Sequence, residues 1–209
     1  MDRDTAVTRI QDGLGFRTGL SDKIILRLQE EQRDLERGKT LPDFLLLEGQ
    51  TLAFLSGTSS VALPASFLRR SDRLPRYTPT GVTISQTIPW REYDEAYETF
   101  SASDPAGPKV AVIRNSTILF FPAADTNYTI TWDYYAKAAL LTSNIENLWL
   151  ANAPELLIGG AGLRMAKDIR NQAAIALFGD MYKQARATWF SETVVQEAED
   201  GPLILGANA

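Results

Sequence analysis

The chain has 209 residues, 44% hydrophobic and 22% charged, a formal charge of −5 and a pI near 4.9. It contains neither histidine nor cysteine, which excludes Ser-His-Asp triads, imidazole bases, thiolate nucleophiles, disulfides and zinc sites built on Cys or His. The acidic balance argues against a dedicated nucleic-acid binder, which would cluster Lys and Arg against phosphates, and no run approaches the roughly 20 apolar residues of a bilayer-spanning helix.

The charged start Met1-Asp2-Arg3-Asp4-Thr5 has no apolar stretch behind it and does not read as a signal peptide, so the expectation is a soluble protein made in the cytosol. Ala6, Val7, Ile10 and Leu14 predict a first helix over residues 2–14, closed by Gly13 and Gly15. A stronger helix follows over 22–37, with Ser21 as its expected N-cap. Its apolar stripe is Ile24, Ile25, Leu28 and Leu35, interrupted by Gln32. Glu30, Glu31, Arg33, Asp34, Glu36 and Arg37 mostly fall on the other faces, and Gly38 marks the stop.

From Leu41 the character changes. Residues 44–47 and 50–55 read as strands, Gly57-Thr58-Ser59 as a turn before a strand at 61–63, and 64–68 as a short turn or helix at a sheet edge. Alternation over 82–88 predicts another strand. Residues 90–100 form a short amphipathic piece with Tyr93, Tyr97 and Phe100 on one side, and 101–108 a loop. Strands at 109–114 and 117–121 flank Asn115-Ser116, a tight hairpin. After a connection at 122–127, residues 128–136 alternate, placing Tyr128, Ile130, Trp132 and Tyr134 on one face. A three-stranded antiparallel meander is the simplest arrangement of these strands.

Residues 144–150 read as a linking turn. Pro154 then opens a helix whose apolar surface comes from Leu156, Leu157, Ile158, Leu163, Met165, Ala166 and Ile169. A last helix covers about 172–197, ending before Asp200-Gly201-Pro202. The fold class is therefore α+β. Helices from both chain ends, 1–40 and 141–199, form a bundle. An antiparallel β-rich domain, 41–140, is inserted between them, and 200–209 form an extended C-terminal tail.

Few residues invite chemistry. Glu92, Asp94, Glu95 and Glu98 are the one notable carboxylate cluster. They fit a magnesium site or an acid/base pair, but fit better the solvated face of an amphipathic segment with buried aromatics. Arg69, Arg70, Arg73 and Arg76, interrupted by Asp72, read as a solvated or interface loop rather than a phosphate track. Gly159-Gly160-Ala161-Gly162 lacks the spacing of a phosphate loop or dinucleotide fingerprint. Each helical glycine costs about 1 kcal/mol relative to alanine, so close approach of another backbone is the better reason for them. Ser59, Ser66 and Ser116 have no partner base. No catalytic residue, cofactor or metal site is assigned. In the tail, Leu203, Ile204 and Leu205 stand together on a segment too short to build its own core, which leaves a frayed end, docking on its own domain and docking on a neighbour as the readings.

The order of segments resembles the head-to-tail adaptor (connector) proteins of tailed bacteriophages. The resemblance is carried by "VALPASFLRR" (61–70), by "YTITWDYYAKAALLTSNIENLWLANAPELLIGGAGLRMA" (128–166) and by a last helix with Ala173, Ala174, Tyr182 and Trp189. It implies a structural virion protein at the portal vertex, made in the host cytoplasm and assembled as a ring, typically a dodecamer, that joins the portal to the tail. The helical part would form the ring body and DNA channel, with DNA passing without sequence-specific binding. Pro202, Leu203, Ile204 and Leu205 would anchor the tail on the portal protein, and the β domain would face the tail or nozzle protein. Two other readings stand beside it: a tail-completion or minor tail ring protein, and a small carboxylate-dependent hydrolase using Glu95 and Glu98.

Overall fold

A computed structural model describes residues 1–79, 84–145 and 147–199, the last ten as helix backbone only. In chain order the elements are α1 (Arg3–Gly13), α2 (Ser21–Glu36), β1 (Leu46–Phe54), β2 (Ser60–Ala62), β3 (Phe67–Arg70), β4 (Arg76–Tyr77), β5 (Gln86–Thr87), α3 (Tyr93–Phe100), β6 (Val110–Arg114), β7 (Thr117–Phe121), β8 (Tyr128–Ala136), α4 (Leu148–Asn152), α5 (Pro154–Asp168) and α6 (Gln172–Glu199). The protein is α+β. Two units divide it: Met1–Phe44 with the chain from Ala138 onward, and Leu45–Lys137.

In the helical unit, α1 starts on Asp2, whose side chain accepts from the Thr5 amide at 2.8 Å, satisfying one of the unpaired amides of the first turn. Ala6, Val7, Ile10 and Leu14 are buried along one stripe. Ser21 does not cap α2. A 3-10 turn at Thr18–Leu20 runs directly into the helix, Ser21 is already helical, and its hydroxyl donates back to the Thr18 carbonyl at 3.2 Å.

α5 is the central helix, packed against α1, α2, α4 and α6. Pro154 opens it, where a missing amide hydrogen leaves nothing unpaired. Its small residues have specific neighbours. A Cβ on Gly159 would stand 2.9 Å from the backbone nitrogen of Tyr182, so this glycine admits the backbone of α6. A Cβ on Gly162 or on Gly13 would stand 2.5 Å from the ring of Phe178, which fills the niche the two glycines leave and is itself buried.

The β unit has two sheets. β8 is the hub of the five-stranded sheet. β1 pairs along one edge of it, while β3 and β4 share the other, β3 beside residues 134–136 and β4 beside 130–131. The second sheet is β2-β7-β6. The expected β6-β7-β8 meander is therefore wrong: β7 turns to β6 and β2, and β8 joins the other sheet. The reason lies in what each face must cover. Ile130, Trp132, Tyr134 and Ala136 of β8 share one core cluster with Ala111, Ile118 and Phe120 of the β6–β7 sheet. Strands side by side in one sheet could not bury these faces against each other; facing sheets can. The opposite face of β6–β7 carries Val110, Val112 and Phe121, covered by Ala96, Tyr93 and Phe100 of α3 and its end. Both faces are buried, so β6 and β7 read as nearly continuous apolar runs.

Other local expectations shift. Residues 46–54 are one strand, irregular between Leu47 and Gln50. There Gly49 takes φ +63 and its amide donates to Asp133 Oδ1 at 2.7 Å. Phe67 and Leu68, expected within a turn or short helix over 64–68, instead open strand β3, recruited by the free edge of β8. In the expected strand at 82–88 only Gln86–Thr87 is strand; Val82 and Thr83 lie outside the described residues. Residues 148–150, expected within a linking turn over 144–150, instead open helix α4.

Candidate functional site

The residues that could have carried chemistry are spread over the fold. Glu92, Asp94, Glu95 and Glu98 are all exposed at or on α3, and Glu95 accepts from Arg91 one turn earlier at 3.1 Å. Among the described residues no group of three or more acidic side chains is set to hold a metal. Ser66 shares a hydrogen bond with the Tyr134 hydroxyl at 3.4 Å, and Ser116 occupies the β6–β7 turn. Of the arginine cluster, expected as a loop, only Arg73 lies between strands. Arg69 and Arg70 belong to β3, Arg76 to β4, and the Arg70 guanidinium lies 5.2 Å from the Trp90 ring centroid. Arg73 donates to Glu48, and to Asp133 Oδ2 at 3.4 Å, closing a clasp over the irregular start of β1.

The helical unit buries Gln32, which interrupts the apolar stripe of α2, together with two acids expected mostly on its other faces. Glu31, Gln32 and Glu36 are buried on α2. Glu36 Oε1 accepts from Gln32 Nε2 (3.0 Å), the Ala138 amide (3.1 Å) and Trp149 Nε1 (3.3 Å). Gln32 also donates to the Ala138 carbonyl at 3.2 Å and accepts from Asn147 Nδ2 at 3.2 Å. Asn147 in turn donates to the Ala139 carbonyl and caps α4 through the amides of Trp149 (2.8 Å) and Leu150 (3.4 Å). Every member has partners, as buried polar groups require. This network ties down Ala138, Ala139 and Asn147, where the chain re-enters the helical unit. Its sequence signal was Gln32 on an apolar stripe, one turn from Glu36.

Glu31 lies apart from that network. Its Oε2 accepts from Arg164 Nε at 2.8 Å, and Arg164 also reaches Asp34 Oδ2 at 2.7 Å. Burial holds the Glu31 carboxyl above its ordinary range, against the opposing pull of Arg164 and of the Tyr182 hydroxyl. Gly160 makes this possible: a Cβ there would stand 2.3 Å from Glu31 Cδ. The glycines of α5 thus admit a carboxylate as well as a backbone.

Beside this, α6 and the α4–α5 junction border a groove of about 630 Å³. Leu156, Leu177, Met181 and Trp189 give it an apolar lining, with Glu155 and Asp180 at its acidic rim. Pro202, Leu203, Ile204 and Leu205, the expected portal anchors, lie outside the described residues.

The sequence profile of the SU10 adaptor protein family matches residues 1–204. The chain belongs to that family, and so to the structural adaptors of bacteriophage virions. No individual curated protein is similar enough to count as a relative. No helix among the described residues is long and apolar enough to cross a membrane.

Proposed function

We propose that this chain is a head-to-tail adaptor that assembles as a ring, most simply a dodecamer, joining the portal protein to the tail and lining the DNA channel. The observation that carries the reading is the family match, which runs from the first residue to Ile204 and so includes both helical ends, the β unit and the start of the apolar tail. The helical unit is the ring body. The tail docks on the portal through Pro202, Leu203, Ile204 and Leu205, and the β unit meets the tail or nozzle protein. DNA crosses the channel without being gripped, which the net charge of −5 favours. The ring sits at the neck of the virion after synthesis in the host cytoplasm.

Deleting Gly201–Ala209 tests the portal contact. Portal association is expected to be lost while the helical signal is kept, and undiminished association would sink the tail's role. The mass of the full chain, alone and with portal protein, tests the ring. Co-purification with the tail tube instead of the portal would point to a tail-completion protein.

A further inference from the structure

We propose that subunits join through an aromatic knob, Phe16, of one copy seated in the groove between α6 and the α4–α5 junction of the next copy. This rests on the ring assembly proposed above and supplies its subunit contact. α1 ends at Gly13 with Leu14 as its C-cap; Gly15 then takes φ +85 and Phe16 φ +59, a conformation that side chains with a Cβ rarely adopt. The Phe16 amide donates to the Gln11 carbonyl at 2.9 Å and the Gly15 amide to Asp12 at 3.0 Å. The Gln11 side chain, donating to the Thr18 carbonyl (3.2 Å) and to Ser21 Oγ (2.9 Å), pins the far side of the loop. The loop is thus held firmly around a phenyl ring that is 77% exposed. Within one copy the ring gains nothing from that position, and its exposure shows that it does not fill the groove of its own chain.

The groove complements it in both shape and charge. Leu156, Met181 and Trp189 offer an apolar seat, and Leu177 at its side is 51% exposed. Among the described residues that line it, Glu155 and Asp180 are acidic and none is basic. Glu155 is engaged by Arg9 of its own chain at 3.4 Å, so the exposed Asp180 is the counter-charge assigned to Arg17, the exposed neighbour of the knob. Knob and groove are different patches of one surface. Repeated head to tail such a contact is heterologous, and it gives a ring where the rotation from copy to copy closes.

The test uses full-length chain, alone and with portal protein. Phe16→Asp, on an exposed side chain, keeps the circular dichroism of the parent and is expected to weaken self-association by about tenfold or more, towards the 23.1 kDa monomer. Arg17→Glu and Asp180→Lys each weaken it, and the two together restore it. Because the chain has no cysteine, Phe16→Cys with Met181→Cys in one chain gives a ladder of disulfide-linked oligomers on oxidation. An assembly that survives Phe16→Asp without cross-links overturns this contact and leaves the adaptor reading standing. A cross-link confined to single chains also overturns it. If the parent chain never assembles, even with portal, both readings fall.

Discussion

Gly160 and Gly179 both lie inside helices, yet they meet different surroundings. A methyl on Gly160 would press on the Glu31 carboxyl at 2.3 Å, whereas one on Gly179 would rest 3.9 Å from a Leu163 methyl, an ordinary contact. Gly160→Ala is therefore expected to destabilise by about 1–3 kcal/mol through overpacking. Gly179→Ala should stabilise by about 0.5–1 kcal/mol, because alanine surrenders less backbone freedom in a helix. Urea unfolding of the two variants separates the outcomes. Glu31 adds a pH signature. Burial raises its folded value above the ordinary 4.5, so between the two values the folded chain holds more protons than the unfolded one. Its stabilising contribution is full below pH 4.5 and is lost as pH rises through the raised value. Glu31→Gln should flatten that fall, with Arg164 still held by Asp34. An unchanged slope of unfolding free energy against pH would count against it. None of this could be read from Glu31's position in the sequence, where it is one of several acids on a charged helix. Its burial follows from a glycine 129 positions later in the chain, Gly160.

Short elements divide according to whether their cause is local. The β6–β7 hairpin was legible because two apolar runs flank a two-residue turn. Asn115 and Ser116 both take positive φ, 49° and 62°, the geometry that suits the twist of paired strands. Asn tolerates it better than Ser, so Ser116→Gly is expected to stabilise by about 0.5–1 kcal/mol, part of the left-handed penalty less the added chain entropy; thermal unfolding reports the sign. β3 and α4 were missed for the converse reason. β3 exists because β8 has an edge to pair, and its own alternation is weak. α4 is five residues long, too short for a period to show, and depends on the Asn147 cap and on burying Trp149.

For the whole molecule, the α+β class and the separation of helical ends from a β-rich middle were legible, since 3.6- and 2-residue periods segregate along the chain. The chain leaves the helical unit after Phe44 and returns at Ala138, while Leu46 pairs with Tyr135. Paired residues lie about 5 Å apart, so the two crossings begin close together. Replacing 45–137 by a short Gly/Ser linker is accordingly expected to leave a helical unit that unfolds cooperatively by circular dichroism; an unfolded product would show that the unit depends on the β strands. Unaided, the sequence determined the absence of histidine and cysteine chemistry, the turn at Asn115-Ser116, the alternating face of β8 and the glycine-rich seam of α5, because composition and period are local. Only tertiary structure decided which sheet β8 joins, that Glu31, Gln32 and Glu36 are interior, and which atoms the α5 glycines admit. Those outcomes depend on partners far along the chain, such as Glu36 with Ala138 and Gln32 with Asn147, and a buried polar group is tolerable only once such partners are in place.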